Sequence, residues 1–179
     1  MNHTHPPTLV CLCADAAEAS AFAARGEALA PDLHVEARVE ARTAPGGDPD
    51  ASAEAVRTAA AGRPVHLLGH GAAAPAAVAL AARRPGLVAS LVLAGPDPVP
   101  SGTPLGDVTV PTLVICGDGE RGTGQPYAGG IRDAVFVTVD GAGRRVHTER
   151  PDSFDAWVRS FVQIAEGLPR RAENQRRAS

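Results

Sequence analysis

Apolar and polar positions come in alternating blocks along this chain. Thr8-Leu-Val-Cys-Leu-Cys13 is a short, nearly continuous apolar run, and an Ala-rich amphipathic stretch follows from about Asp15 to Ala30. The alternation then repeats: a strand near Leu33 to Val39, a Pro/Gly/Asp loop near Ala44 to Asp50, a helix from about Ala51 to Ala61, a strand over Pro64 to Gly69 and a helix from about Ala72 to Arg84. Three further strands fall at Leu87 to Ala94, Pro111 to Cys116 and Ala134 to Val139. Phe154, Trp157, Val158, Phe161, Val162 and Ile164 recur at helical spacing and mark a final helix that starts near Pro151. Short apolar strands buried on both faces and separated by helices predict an α/β fold, a doubly wound, mostly parallel sheet of about six strands. Ligands in such sheets gather beyond the carboxyl ends of the strands, which singles out the loops after Cys13, Gly69, Ala94, Cys116 and Val139. No internal repeat is visible.

Composition narrows the classes. With 179 residues, 44% hydrophobic and 21% charged, the chain has the make-up of one globular domain. The expected organisation is a disordered N-terminus over 1–7, a single domain over 8–167 and a disordered Arg-rich tail over 168–179. Only 3% of residues are aromatic, so Ala, Val and Leu must build the core. All 17 basic residues are Arg, which fits a GC-rich bacterial genome. The formal net charge is −3, and four Arg lie in the last eleven residues, so the body is more acidic still. A nucleic-acid binder needs a dense basic surface, and none is present. No apolar run approaches the length of about 18 residues that a membrane span requires. The first seven residues have neither a basic n-region nor an apolar h-region, so a cytoplasmic protein is expected. Cys11, Cys13 and Cys116 are an odd set, Cys11 and Cys13 share one strand face and Cys116 lies several strands away, so neither disulfides nor a metal site are expected. No cofactor is implied.

One segment is more specific. Arg63-Pro-Val-His-Leu-Leu-Gly-His-Gly-Ala-Ala-Ala-Pro75 and the helix after it, followed by Leu87-Val-Ala-Ser-Leu-Val-Leu-Ala-Gly-Pro96, resemble the strand, nucleophile elbow, helix and next strand of an α/β-hydrolase. Val110-Pro-Thr-Leu-Val-Ile-Cys-Gly-Asp118 is similar to the strand leading to that family's acid. Asp140-Gly-Ala-Gly-Arg-Arg-Val-His-Thr-Glu-Arg-Pro151 is similar to the loop that carries its catalytic His, and Leu9 to Asp15 to its first strand and oxyanion loop. The resemblance implies a minimal α/β-hydrolase fold. It also implies no cap domain, since only Gly95 to Val110 lies where members insert a helical lid.

The departures bear on function. Active members read G-x-S-x-G at the elbow. Here Gly69-His70-Gly71-Ala72-Ala73 puts Gly71 at the nucleophile position, the His position falls on Arg144 and the acid on Glu120. Arg stays protonated and cannot serve as a general base, so on this correspondence the usual serine hydrolysis is excluded. The family's oxyanion hole uses backbone amides, which map to Ala72 and to Ala14 or Asp15. Glu120 and Arg144 are expected to form an ion pair. His70 and His147 are candidate bases, with packing the favoured role for both. His66 is expected to alternate out of the pocket, and His3, His5 and His34 carry no motif. Cys13 lies near the oxyanion loop and would be reactive only with a cation such as Arg144 beside it. Asp97 and Asp118 also fall at strand ends, and Asp15 suits a helix N-cap.

The candidate binding set is therefore Cys13, Ala14, Asp15, His70, Gly71, Ala72, Asp97, Glu120, Arg144 and His147. Three readings stay open. One is a pseudo-hydrolase that binds a small carbonyl-bearing or acidic metabolite. Another is a repurposed non-hydrolytic enzyme of bacterial secondary metabolism, such as a cyclase, isomerase, lyase or dehydratase. The third is an interaction protein whose open mouth is covered by a homodimer mate or another protein.

Overall fold

The computed structural model describes residues 5–39 and 49–168. Residues 1–4 of the expected N-terminal arm, 44–48 of the expected loop and 169–179 of the expected tail lie outside them. The strands are β1 (Thr8–Cys13), β2 (His34–Val39), β3 (Val65–His70), β4 (Val88–Ala94), β5 (Thr112–Gly117) and β6 (Ala134–Val139). The helices are α1 (Ala16–Ala23), α2 (Arg25–Leu29), α3 (Pro49–Ala60), α4 (Ala74–Arg83), α5 (Arg121–Gly130), α6 (Val146–Glu149) and α7 (Pro151–Gly167).

All strand pairs are parallel, and the order across the sheet is β2-β1-β3-β4-β5-β6. Parallel strands need crossovers, and the helices that supply them cover both faces. One core joins Val10, Leu12, Leu67, Leu91, Leu93 and Val114 to α3, α4 and α5. The other joins Leu9, Cys11, Leu68, Val92, Leu113, Ile115, Val137 and Val139 to Phe22 and Leu29 of α1 and α2 and to Phe154, Val158 and Val162 of α7. Fully burying such a side chain is worth about 1.5–3 kcal/mol, so the two layers rather than surface pairs hold the sheet.

One expectation is corrected, and one helix adds to the expected set. The stretch read as one helix from Asp15 to Ala30 is two, α1 and α2, meeting at Ala24. α5 was not expected at all: it contains Gly122, Gly124, Gly129, Gly130 and Pro126, which favour loop. Tertiary packing overrides that preference, because Tyr127 is fully buried and a Cβ at Gly124 would collide with Cys116 and with the Phe136 ring. His66 is completely buried, its Nδ1 2.8 Å from Ser90 Oγ and its Nε2 3.2 Å from Glu166 of α7.

Between β4 and β5 the chain makes only a three-residue 3-10 turn, Leu105–Asp107, so no helical lid is inserted there. Among the described residues, no helix is long and apolar enough to cross a membrane.

Candidate functional site

The strand order changes direction between β1 and β3, and such a switch opens a crevice between the loops that leave those two strands. After β3 the backbone turns at Gly71 into a 3-10 turn, Gly71–Ala73, that runs on into α4. Gly71 has φ +53°, where a side chain costs on the order of 1–3 kcal/mol. A Cβ at this position would lie 3.5 Å from Arg144 Nη2, 3.9 Å from Asp97 Oδ1 and 3.9 Å from Glu18 Oε1. Three charged side chains from α1, from the loop after β4 and from the loop after β6 therefore converge over the turn.

Each is held by local structure. The loop carrying Arg144 lies directly on the ends of β4 and β5. A Cβ at Gly95 would strike the Arg144 carbonyl, and one at Gly117 would strike the carbonyls of Ala142 and Gly143. Glu149 of α6 fastens the same loop by accepting the N–H groups of Gly143 (2.6 Å) and Arg145 (3.2 Å). Asp97 donates its N–H to Gly71 O (3.1 Å), and its carboxylate pairs with the Arg144 guanidinium. The pair is part-exposed, with side-chain exposures of 49% for Arg144 and 32% for Asp97. Solvent screening leaves such a pair about 0–1 kcal/mol of stabilisation, so its importance is placement.

The expected partnership of Arg144 with Glu120 is thus corrected. Arg144 crosses at Gly95, two residues from Asp97, whereas Glu120 leads into α5. Among the described residues Glu120 forms no ion pair; its charge, after burial, helps push the Cys116 thiol up to about 11.

On the expected oxyanion loop, side-chain hydrogen bonds tie Ala14 and Asp15 to α1. Asp15 is the N-cap of α1, its carboxylate accepting Glu18 N–H at 2.9 Å. Glu18 Oε2 in turn accepts Ala14 N–H at 3.0 Å, so that amide is already engaged. Ala72 is exposed in the first turn after β3, where helix amides lack an intrahelical acceptor. Glu18 is the residue that the sequence reading passed over. The Asp15-x-x-Glu18 spacing of a capping motif was the available signal.

Beneath the turn the two histidines are packed away. His70 Nδ1 lies 3.2 Å from Glu18 Oε1, and its ring meets Phe22 and His147 edge-on at 5.5 and 4.7 Å. Burial lowers its pKa, against the opposing pull of Glu18. His147 stacks on Phe22 at 4.1 Å, and among the described residues neither ring nitrogen has a hydrogen-bond partner. Burial first, then His70, Arg145 and Arg25, lower its pKa to about 3, so it is neutral near pH 7.

Cys13 is buried, and desolvation with the charges of Glu18 and Asp15 raises its thiol to about 12. Asp118 is exposed in a 3-10 turn. Among the described residues, no group of three or more His, Cys, Asp or Glu is arranged to hold a metal ion.

No protein-family model and no curated protein matches the sequence. Solved structures do match in fold. NosK from Streptomyces actuosus superposes over 90% of this chain and 99% of its own, with 23% identity and a TM-score of 0.66. MenH from S. aureus covers 92% and 96% at 14% identity and a TM-score of 0.72. The thioesterase domain from the curacin biosynthetic pathway covers 87% and 91% at 15% identity and a TM-score of 0.65. With six parallel strands in this order, helices on both faces and a strand-turn-helix at Gly71, the chain has the α/β-hydrolase fold.

Proposed function

We propose that this chain lacks the Ser-His-acid triad of its fold and acts as a non-hydrolytic pseudo-hydrolase, binding a small carbonyl-bearing or acidic metabolite at the open end of the sheet. The observation that carries the reading is the guanidinium of Arg144, 3.5 Å from where a side chain at residue 71 would begin. A permanently protonated group takes the place where an attacking hydroxyl and a neutral base would need to meet.

Of the two ligand classes, a neutral carbonyl suits the site better. An anion would have to displace Asp97 from Arg144 and meet the charge of Glu18. A carbonyl oxygen needs only a donor, and both Ala72 N–H and the guanidinium edge supply one.

The 3.2 Å approach of Glu18 to His70 favours one second reading, a repurposed acid-base enzyme of bacterial secondary metabolism. Glu18 would exchange a proton with a bound carbonyl compound while His70 stabilised its charge.

Hydrolysis of 4-nitrophenyl acetate tests the proposal. The native chain is expected to show no turnover, and a Gly71→Ser/Arg144→His variant is expected to gain some, with Asp97 orienting the new imidazole. Turnover by the native chain that survives Arg144→Ala would sink the reading. A folded double variant without activity would show that residues 71 and 144 are not the triad positions.

A further inference from the structure

Among the described residues the large, well-exposed apolar side chains are confined to one place. Val135 (54% exposed), Trp157 (44%), Ile164 (63%) and Leu168 (47%) all lie on β6, on α7 or at its end. Trp157, Phe161, Ile164 and Leu168 share one flank of α7 by helical spacing. The other flank is held against α2 and the turn after it: Arg159 donates to Ala28 O (2.7 Å) and pairs with Asp32 (2.8 Å), and Asp155 faces Arg25 (3.8 Å). Since α2 lies toward the β2 edge, the apolar flank looks toward the β6 edge. Val135 alternates with Val137 and Val139, which face the core under α7, so it opens on the same side. The exposed apolar side chains thus lie on the sheet face that carries α7, on its β6 side.

Among the described residues β6 pairs with β5 on one side and with no strand on the other. Its sequence, Ala-Val-Phe-Val-Thr-Val, has no charge, Pro or Gly, the features that blunt sheet edges against pairing. Charge stands only at its ends. Arg132 and Asp140 are exposed there, and neither has an ion-pair partner among the described residues.

We propose that a second copy of this chain docks on this edge, β6 against β6, antiparallel about a two-fold axis at Phe136. Arg132 and Asp140 are equidistant from Phe136 in the sequence, so each faces its opposite charge on the other copy. The same axis, perpendicular to the sheet, keeps the two α7 helices on one face, their apolar flanks turned toward each other across the paired strands above Val135. Backbone pairing together with these flanks builds toward the roughly 800 Å² per partner of a specific dimer. The self-complementary charge spacing is what selects a second copy over an unrelated partner.

Sedimentation of the full chain at micromolar concentration should show a dimer. Trp157 is the sole tryptophan, so its emission should shift to the red as dilution dissociates the dimer. Arg132→Asp and Asp140→Arg should each raise the dissociation constant about tenfold or more, and the double reversal should restore it. Val135→Lys should weaken the dimer with unchanged circular dichroism. A monomer at these concentrations overturns the proposal. So does a dimer indifferent to the single reversals, or a natively folded double reversal that stays monomeric.

Discussion

Gly71 and Gly95 both hold left-handed backbone, with φ +53° and +47°, but differ in what stands over them. Around Gly71 a methyl group would find only ordinary contacts, the nearest at 3.5 Å, so Gly71→Ala should cost about 1 kcal/mol through backbone strain. At Gly95 the same methyl would strike the Arg144 carbonyl, so Gly95→Ala should cost about 3 kcal/mol or more. Urea midpoints of the two variants check this, and equal losses would show that the Arg144 loop does not rest on β4. Gly71 was legible in the sequence because it sits between an apolar run and an Ala-rich helix. The partner of Arg144 was not. Spacing after a strand places both Asp97 and Glu120 at the same end of the sheet, and only the path of the 140–145 loop decides between them. Glu18 was hidden for a related reason, since its contact with His70 joins segments that only the fold brings together.

Among the elements, α5 shows where pattern reading stops. A helix with four glycines and an internal proline has no local preference to read, and its order comes from the burial of Tyr127. That anchoring is apolar: Tyr127 Oη is buried without a hydrogen-bond partner among the described residues, and desolvation raises its pKa to about 12. Tyr127→Phe should therefore leave stability unchanged or raise it by up to about 1 kcal/mol, because it removes a buried, unpaired hydroxyl. Thermal melting is the check; a clear loss would reveal a partner for the hydroxyl. The strands were legible because their signal is of another kind. A run such as Thr112–Gly117 is buried along its whole length, and nearly continuous apolar character between turn residues survives without any knowledge of neighbours.

At the scale of the whole molecule, the buried histidines set the response to acid. His147 has its pKa lowered to about 3 and His70 is lowered as well, so below about 6.5 the unfolded chain takes up protons that the folded chain refuses. The His147 contribution is fully present above pH 6.5 and is lost as pH falls toward 3, by up to about 1.4 kcal/mol per pH unit, and His70 acts in the same direction. Asp155 acts in the opposite sense, since burial raises its pKa, but it is one group against two. Denaturant midpoints measured from pH 7 to pH 4 should fall, and His147→Phe, which keeps the ring stack on Phe22, should flatten the slope. A variant as acid-sensitive as the native chain would place the titration elsewhere. The stretch between β4 and β5 has a different use. Gly102, with φ +80° and open space around it, and exposed Ser101 form a bare surface turn four residues beyond Asp97. For an engineer this is a splice point: a helical hairpin grafted between the two would be tethered beside Gly71, giving an uncovered scaffold a designed roof without disturbing either core layer.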